Sequence, residues 1–224
     1  MEKVNVPNSP GFSLSLARVP GARLGVIVVQ EIYGVNKEVL RVVHQLSGWG
    51  FNAAAPDLLW RHKPDTVFGY DERDQARAAL SQLNASDFVA DTVAAARTLK
   101  DETGSQAIAI LTLGWGGKFG LQAATQIDTS AVVCFYPGNL DGVENLVAEI
   151  SAPQLYHFAD RDPRTPPALR AAVRQHAVER DDIEVIVHKA DHGFANRDRE
   201  EFDQTAAASA DRSTEDFLRR VVTF

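Results

Sequence analysis

Short apolar runs recur along this chain, and most are followed by a stretch with helical spacing. Gly25 to Gln30 (GVIVVQ), Phe51 to Ala55, Ala107 to Leu113 (AIAILTL), Ala131 to Tyr136, Gln154 to Ala159 and Ile183 to His188 are strand-length and lack polar alternation. That is the pattern of strands buried on both faces. Between them, Val35 to Trp49, Asp71 to Leu83, Asp87 to Lys100, Gly116 to Gln126, Pro167 to Val178 and about Asp203 to Val221 read as helices. Val4 to Val6 and Ser13 to Arg18 read as an opening antiparallel pair. Strands alternating with helices predict an α/β fold, a mostly parallel doubly wound sheet with helices on both faces. No repeat or Pro/Ser-rich linker interrupts it, so a single domain over residues 1–224 is expected, without a large cap.

Composition narrows the function classes. Thirty acidic against 23 basic residues give a net charge of −7, which disfavours nucleic acid or an anionic membrane as partner. No apolar run reaches the ~18 residues of a membrane span. The opening MEKVNVPNSPG lacks the apolar stretch of a signal peptide. The one cysteine, Cys134, excludes an internal disulfide and a cysteine-based zinc cage. A cytoplasmic protein acting on a small molecule is expected.

Ligands of doubly wound sheets gather beyond the carboxyl ends of the strands. Four segments there carry chemistry. Gln30-Glu31-Ile32-Tyr33-Gly34 places a carboxylate just after a buried strand; Glu31 could serve a reaction, or cap the next helix, or pair with a buried arginine. Leu113-Gly114-Trp115-Gly116-Gly117 is a glycine-rich strand-to-helix turn, the geometry of a nucleophile elbow or of any tight βα connection. Asp160 to Pro166 offers an acid that could orient an imidazole, or cap the helix that begins near Pro167. Ala190-Asp191-His192-Gly193-Phe194 offers a loop histidine, a candidate general base. Elbow, then acid, then histidine is the chain order of α/β-hydrolase triads. His157, His188 and His192 are too scattered to read as a metal site, and no metal or cofactor is expected.

Taken together these segments resemble the dienelactone hydrolase (carboxymethylenebutenolidase-like) family of the α/β-hydrolase fold. VVQEIYGVN at Val28 to Asn36 is similar to that family's strand-plus-glutamate segment. Ala55-Pro56-Asp57-Leu58 with Trp60-Arg61 is similar to its APDLYWR segment. Asp162 with Thr165-Pro166 resembles its triad acid loop, and His192-Gly193-Phe194 its triad histidine. The family elbow reads G-x-C-x-G-G; here it is Thr112, Leu113, Gly114, Trp115, Gly116, Gly117. The nucleophile position is therefore Gly114, which has no side chain to form an acyl-enzyme. Cys134 lies inside an apolar strand and does not replace it.

The resemblance implies that Asp162 and His192 keep the acid–base pair, that the backbone N–H groups of Ile32 and Trp115 face a developing oxyanion, and that Glu31 stands where the family glutamate meets the thiol. Arg61, Arg77 (with Arg73 beside it) and Tyr33 are the candidates for holding the substrate. A monomer or weak homodimer is implied. Three readings follow: an enzyme in which His192 acts on water or directly on a lactone, ester or oxo-acid; a ligand- or partner-binding homologue without turnover; and an inactivated variant of a Cys/Ser hydrolase.

Overall fold

The computed structural model describes residues 1–138 and 145–222. The chain divides into two compact units, Met1–Ala109 and Ile110–Phe224, and the division falls inside a strand.

The first unit opens with β1 (Glu2–Asn5) and β2 (Ser13–Ala17), paired antiparallel with Glu2 opposite Leu16. β1 lies earlier than Val4 to Val6 because Pro7 has no N–H to donate and Asn8 turns the chain with φ +59°. β3 (Leu24–Val29) pairs parallel with β4 (Asn52–Pro56), and β2 lies antiparallel on the other side of β4. All eleven residues of β3 and β4 are buried, so both faces of the sheet are covered there. α1 (Lys37–Gly48) is capped by Asn36, whose Oδ1 accepts from the Val39 N–H at 3.1 Å. α2 (Arg73–Ser81) and α3 (Ala85–Thr103) follow, and α3 stops at Gly104 in a left-handed cap. β5 (Ala107–Leu113) starts beside β3.

The second unit continues from β5 into a 3₁₀ turn at Gly114–Gly116 and α4 (Gly117–Ala124). β6 (Ala131–Phe135), β7 (Gln154–Ala159) and β8 (Ile183–His188) extend the strand order as β5-β6-β7-β8, with both later pairs parallel. α5 (Leu146–Glu149), a single turn without clear periodicity, is not anticipated by the sequence pattern. α6 (Pro167–Glu179) begins on a proline at its first turn, and α7 (Gln204–Val222) closes the described chain. The eight strands run β1-β2-β4-β3-β5-β6-β7-β8, a mostly parallel sheet opened by an antiparallel edge.

Candidate active site

Three strand ends of the second unit supply the site. After β5 the chain turns sharply at Gly114, whose φ of +48° is a left-handed value that a side chain resists. Its carbonyl accepts from the Gly138 N–H at 3.3 Å. Thr112, two residues earlier, is fully buried. Its branched side chain fits because α4 carries Gly120 opposite it, where a Cβ would lie 2.2 Å from Thr112 Cγ2.

After β7 the backbone keeps pairing with the β8 loop. Asp160 N–H donates to the His188 carbonyl at 2.9 Å, Arg161 N–H to the Ala190 carbonyl at 3.2 Å, and Ala190 N–H to Asp160 Oδ1 at 3.0 Å. This extension of the ladder brings the two loops together. The Asp162 carboxylate is shut away from solvent and lies 2.8 Å from His192 Nδ1. It also accepts from the Arg164 N–H at 2.7 Å and the Thr165 hydroxyl at 2.8 Å. Burial opposes its charge, but the His192 hydrogen bond and these two donors outweigh it, and the carboxyl sits below its usual range. An ionised Asp162 can only accept. The Nδ1 of His192 therefore carries the hydrogen and Nε2 keeps its lone pair, the tautomer a general base needs. The competing role does not apply to the acid: the cap of α6 is Pro166, with no side-chain bond. The edge-on ring of Tyr136 lies 5.2 Å from the imidazole.

Cys134 is buried within β6, and burial pushes its thiol up to about 12, far from thiolate chemistry. His157 and His188 face each other at 3.1 Å on neighbouring strands, and His157 Nε2 lies 2.9 Å from the Thr214 hydroxyl. Desolvation holds both imidazoles below the usual histidine range, His157 strongly so.

The remaining sequence candidates lie in the first unit. Glu31 is buried just past β3, and α1 is capped by Asn36 rather than by it. Gln30, fully buried, donates to the Glu31 carbonyl at 3.2 Å and accepts from the Leu58 N–H at 3.3 Å, which fixes the backbone leading to Ile32. Tyr33 is buried against Tyr70, ring centroids 4.8 Å apart. Gly34 runs so close to the following loop that a Cβ would meet the Thr66 carbonyl at 2.1 Å. Arg61 is held: it bonds the buried Asp91, lies 3.7 Å from Asp87 and stacks 4.4 Å over Trp60. Arg77 is exposed on α2. Sequence reasoning passed over Tyr136, Thr165's bridging hydroxyl and Asp91. The Tyr136-Pro137-Gly138 turn signal directly after a strand could have drawn attention to the first.

A mostly parallel sheet whose turns after β5, β7 and β8 carry a glycine elbow, an acid and an imidazole in that order is that of an α/β hydrolase. Within that class the chain belongs to the dienelactone hydrolase family, whose pattern matches residues 14–222. It is 28% identical over 199 residues to carboxymethylenebutenolidase 1 of Cupriavidus pinatubonensis, covering 86% of this chain and 84% of that one. It is also 28% identical over 218 residues to a Bradyrhizobium protein named "probable 2-oxo-3-(5-oxofuran-2-ylidene)propanoate lactonase", covering 90% and 85%. The crystal structure of the dienelactone hydrolase-like promiscuous phosphotriesterase P91 from metagenomic libraries superposes with a TM-score of 0.79 at 20% identity, covering 98% of this chain and 97% of that one. No helix among the described residues is long and apolar enough to cross a membrane.

Proposed function

We propose that this chain is a hydrolase of small lactones or activated esters in which His192, oriented by Asp162, acts on water instead of through a covalent acyl-enzyme. The observation that carries the reading is the 2.8 Å bond between His192 Nδ1 and a shielded, ionised Asp162 beside an elbow whose nucleophile position is glycine. A missing thiol leaves room for about one water. The imidazole Nε2 takes a proton as the water oxygen bonds to the acyl carbon. The acyl C–O bond then breaks, and the leaving oxygen recovers the proton from the imidazolium. The N–H groups of Trp115 and Ile32 are the proposed oxyanion donors, since such donors act whether or not a covalent nucleophile is present. Glu31 is proposed to hold water or protonate the substrate, with Arg77 and Tyr33 proposed for substrate contact. The names of two relatives, a carboxymethylenebutenolidase and a probable lactonase, support a lactone as the substrate class. The Thr112–Gly120 fit supports an elbow that diverged with its surroundings rather than a single inactivating change.

The decisive experiment compares hydrolysis of a dienelactone and of p-nitrophenyl esters by the chain as it stands, by Gly114→Cys and by His192→Ala. Turnover by the present chain that disappears in His192→Ala is expected. Turnover only in Gly114→Cys would sink the water-attack reading. Ligand-dependent thermal stabilisation with no turnover would point instead to a binding homologue.

A further inference from the structure

Among the described residues, three that are not glycine adopt positive φ: Asn8, Asp65 and Tyr136. Asn and Asp tolerate that region because their short polar side chains bond locally. Tyrosine does not, and Tyr136 sits there at φ +36° while almost wholly buried. A strained conformation of this kind persists only where its surroundings over-determine it.

Four contacts define those surroundings. Tyr136 N–H donates to the His157 carbonyl at 2.8 Å, so the residue is fixed at the end of the β6–β7 ladder. One residue on, the Thr165 hydroxyl lies 2.9 Å from the Pro137 carbonyl and 2.8 Å from Asp162 Oδ2, which ties the corner to the acid. Next, Gly138 N–H reaches the Gly114 carbonyl, and a Cβ on Gly138 would lie 3.4 Å from His192 Cε1. Finally, the Tyr136 ring packs edge-on against His192 at 5.2 Å and against Phe194, two residues further along the same loop, at 5.4 Å. An extended Tyr136 would turn its ring away from His192 and carry Pro137 and Gly138 off both partners. Pro137, with no N–H and a fixed φ, leaves the corner few ways to relax.

We infer that Tyr136 is a positioning residue, whose left-handed backbone and ring seat His192 against Asp162 while its corner holds the elbow at Gly114. This rests on the general-base reading of His192 for its consequence in turnover, but not for the seating itself.

The test uses the full chain with ¹⁵N-labelled histidine and follows solvent exchange of the His192 Nδ1 proton by NMR, alongside kcat and KM. Tyr136→Asn keeps a residue suited to positive φ and removes the ring; Tyr136→Phe keeps the ring. Tyr136→Asn is expected to speed proton exchange, and to lower kcat, by about threefold to tenfold, the scale of one aromatic pair, with KM nearly unchanged. Tyr136→Phe is expected to stay within about twofold of the parent in both. Where Tyr136→Asn does not fold, Tyr136→Leu supplies the ring-less comparison. Folded Asn or Leu variants that match the parent in proton exchange would overturn the inference, as would a Phe variant that loses as much as they do. Should His192→Ala retain full turnover, the general-base reading falls while the exchange measurement still decides the seating.

Discussion

At the scale of single residues, the site rests on one hydrogen bond with a defined direction. Asp162 is ionised because three donors converge on it, and its ionisation dictates the His192 tautomer. Asp162→Asn would leave the geometry nearly intact while allowing the amide to donate to Nδ1, which puts the imidazole hydrogen on Nε2. The expected outcome is a fall in kcat of about 10²- to 10⁴-fold, the range over which general bases contribute, with a smaller change in KM. Steady-state kinetics on whichever ester the parent turns over checks this; parent-like kcat would show that Asp162 does not set the tautomer. Arg61 makes a contrasting case. Its guanidinium is occupied by Asp91 and by the Trp60 face, and burial already pushes the Asp91 carboxyl up. Removing the arginine leaves the buried Asp91 carboxylate with the Trp60 Nε1–H at 2.9 Å. Arg61→Ala should therefore lower stability by about 1–3 kcal/mol in urea unfolding. KM should move little; a large rise in KM at unchanged stability would restore Arg61 as a substrate contact.

At the scale of elements, the elbow shows how a change in one strand is absorbed by a helix. Glycine in the middle of α4 costs roughly 1 kcal/mol relative to alanine. Here it makes room for Thr112, so the ordinary preference is reversed. Gly120→Ala brings a methyl to within 2.2 Å of Thr112 Cγ2 and 3.2 Å of Ile110 Cγ2, and should destabilise by about 1–3 kcal/mol. Thr112→Ser removes the offending methyl, so Gly120→Ala should cost clearly less in that background. A double-mutant cycle by chemical denaturation measures the coupling, and simple additivity would show that the two positions do not compete for space. The elements themselves were largely legible in the sequence. β3 and β6 are uninterrupted apolar runs because both their faces are covered, β4 and β7 are buried throughout with few polar residues, and the polar residues directly after β3, β5, β7 and β8 mark the mouths of strands. What escaped has a physical cause. In the sequence Tyr136 is marked only by the turn that follows it; its positive φ and its ring contact with His192 are encoded in no side-chain pattern. The partner of Arg61 lies 30 residues away on α3, where Asp91 reads as an ordinary helix acid. Thr165 matters because its hydroxyl meets a carbonyl 28 residues earlier.

At the scale of the whole molecule, pH acts on stability through a few buried groups of opposite sign. His157 and His188 are held neutral, mainly by desolvation and, for His157, by the neighbouring His188. For a depressed folded-state pKa, the unfolded chain binds more protons, so stability is complete above the unfolded value near 6.5 and is lost as pH falls below it. Asp162 is depressed as well, but its loss comes only below about pH 4, where carboxylates protonate. Asp57 and Asp91 are raised by burial, so they take up protons in the folded chain first and partly offset acid loss above that same point. Between pH 7 and 5.5 the histidine pair should therefore dominate among these groups. Each histidine can contribute up to about 1.4 kcal/mol per pH unit, so a fall of about 1–3 kcal/mol across that window is expected. His157 bridges β7, β8 and α7 through His188 and the Thr214 hydroxyl, so this loss should appear as cooperative unfolding of the second unit rather than local fraying. His157→Gln can keep hydrogen bonds to His188 and Thr214 without a titrating ring. Urea midpoints of the parent and this variant at pH 7 and 5.5 supply the comparison, with a shallower acid dependence expected for the variant. Parallel dependences would mean that the pair is not the acid-sensitive element, and would move that role to the carboxylates.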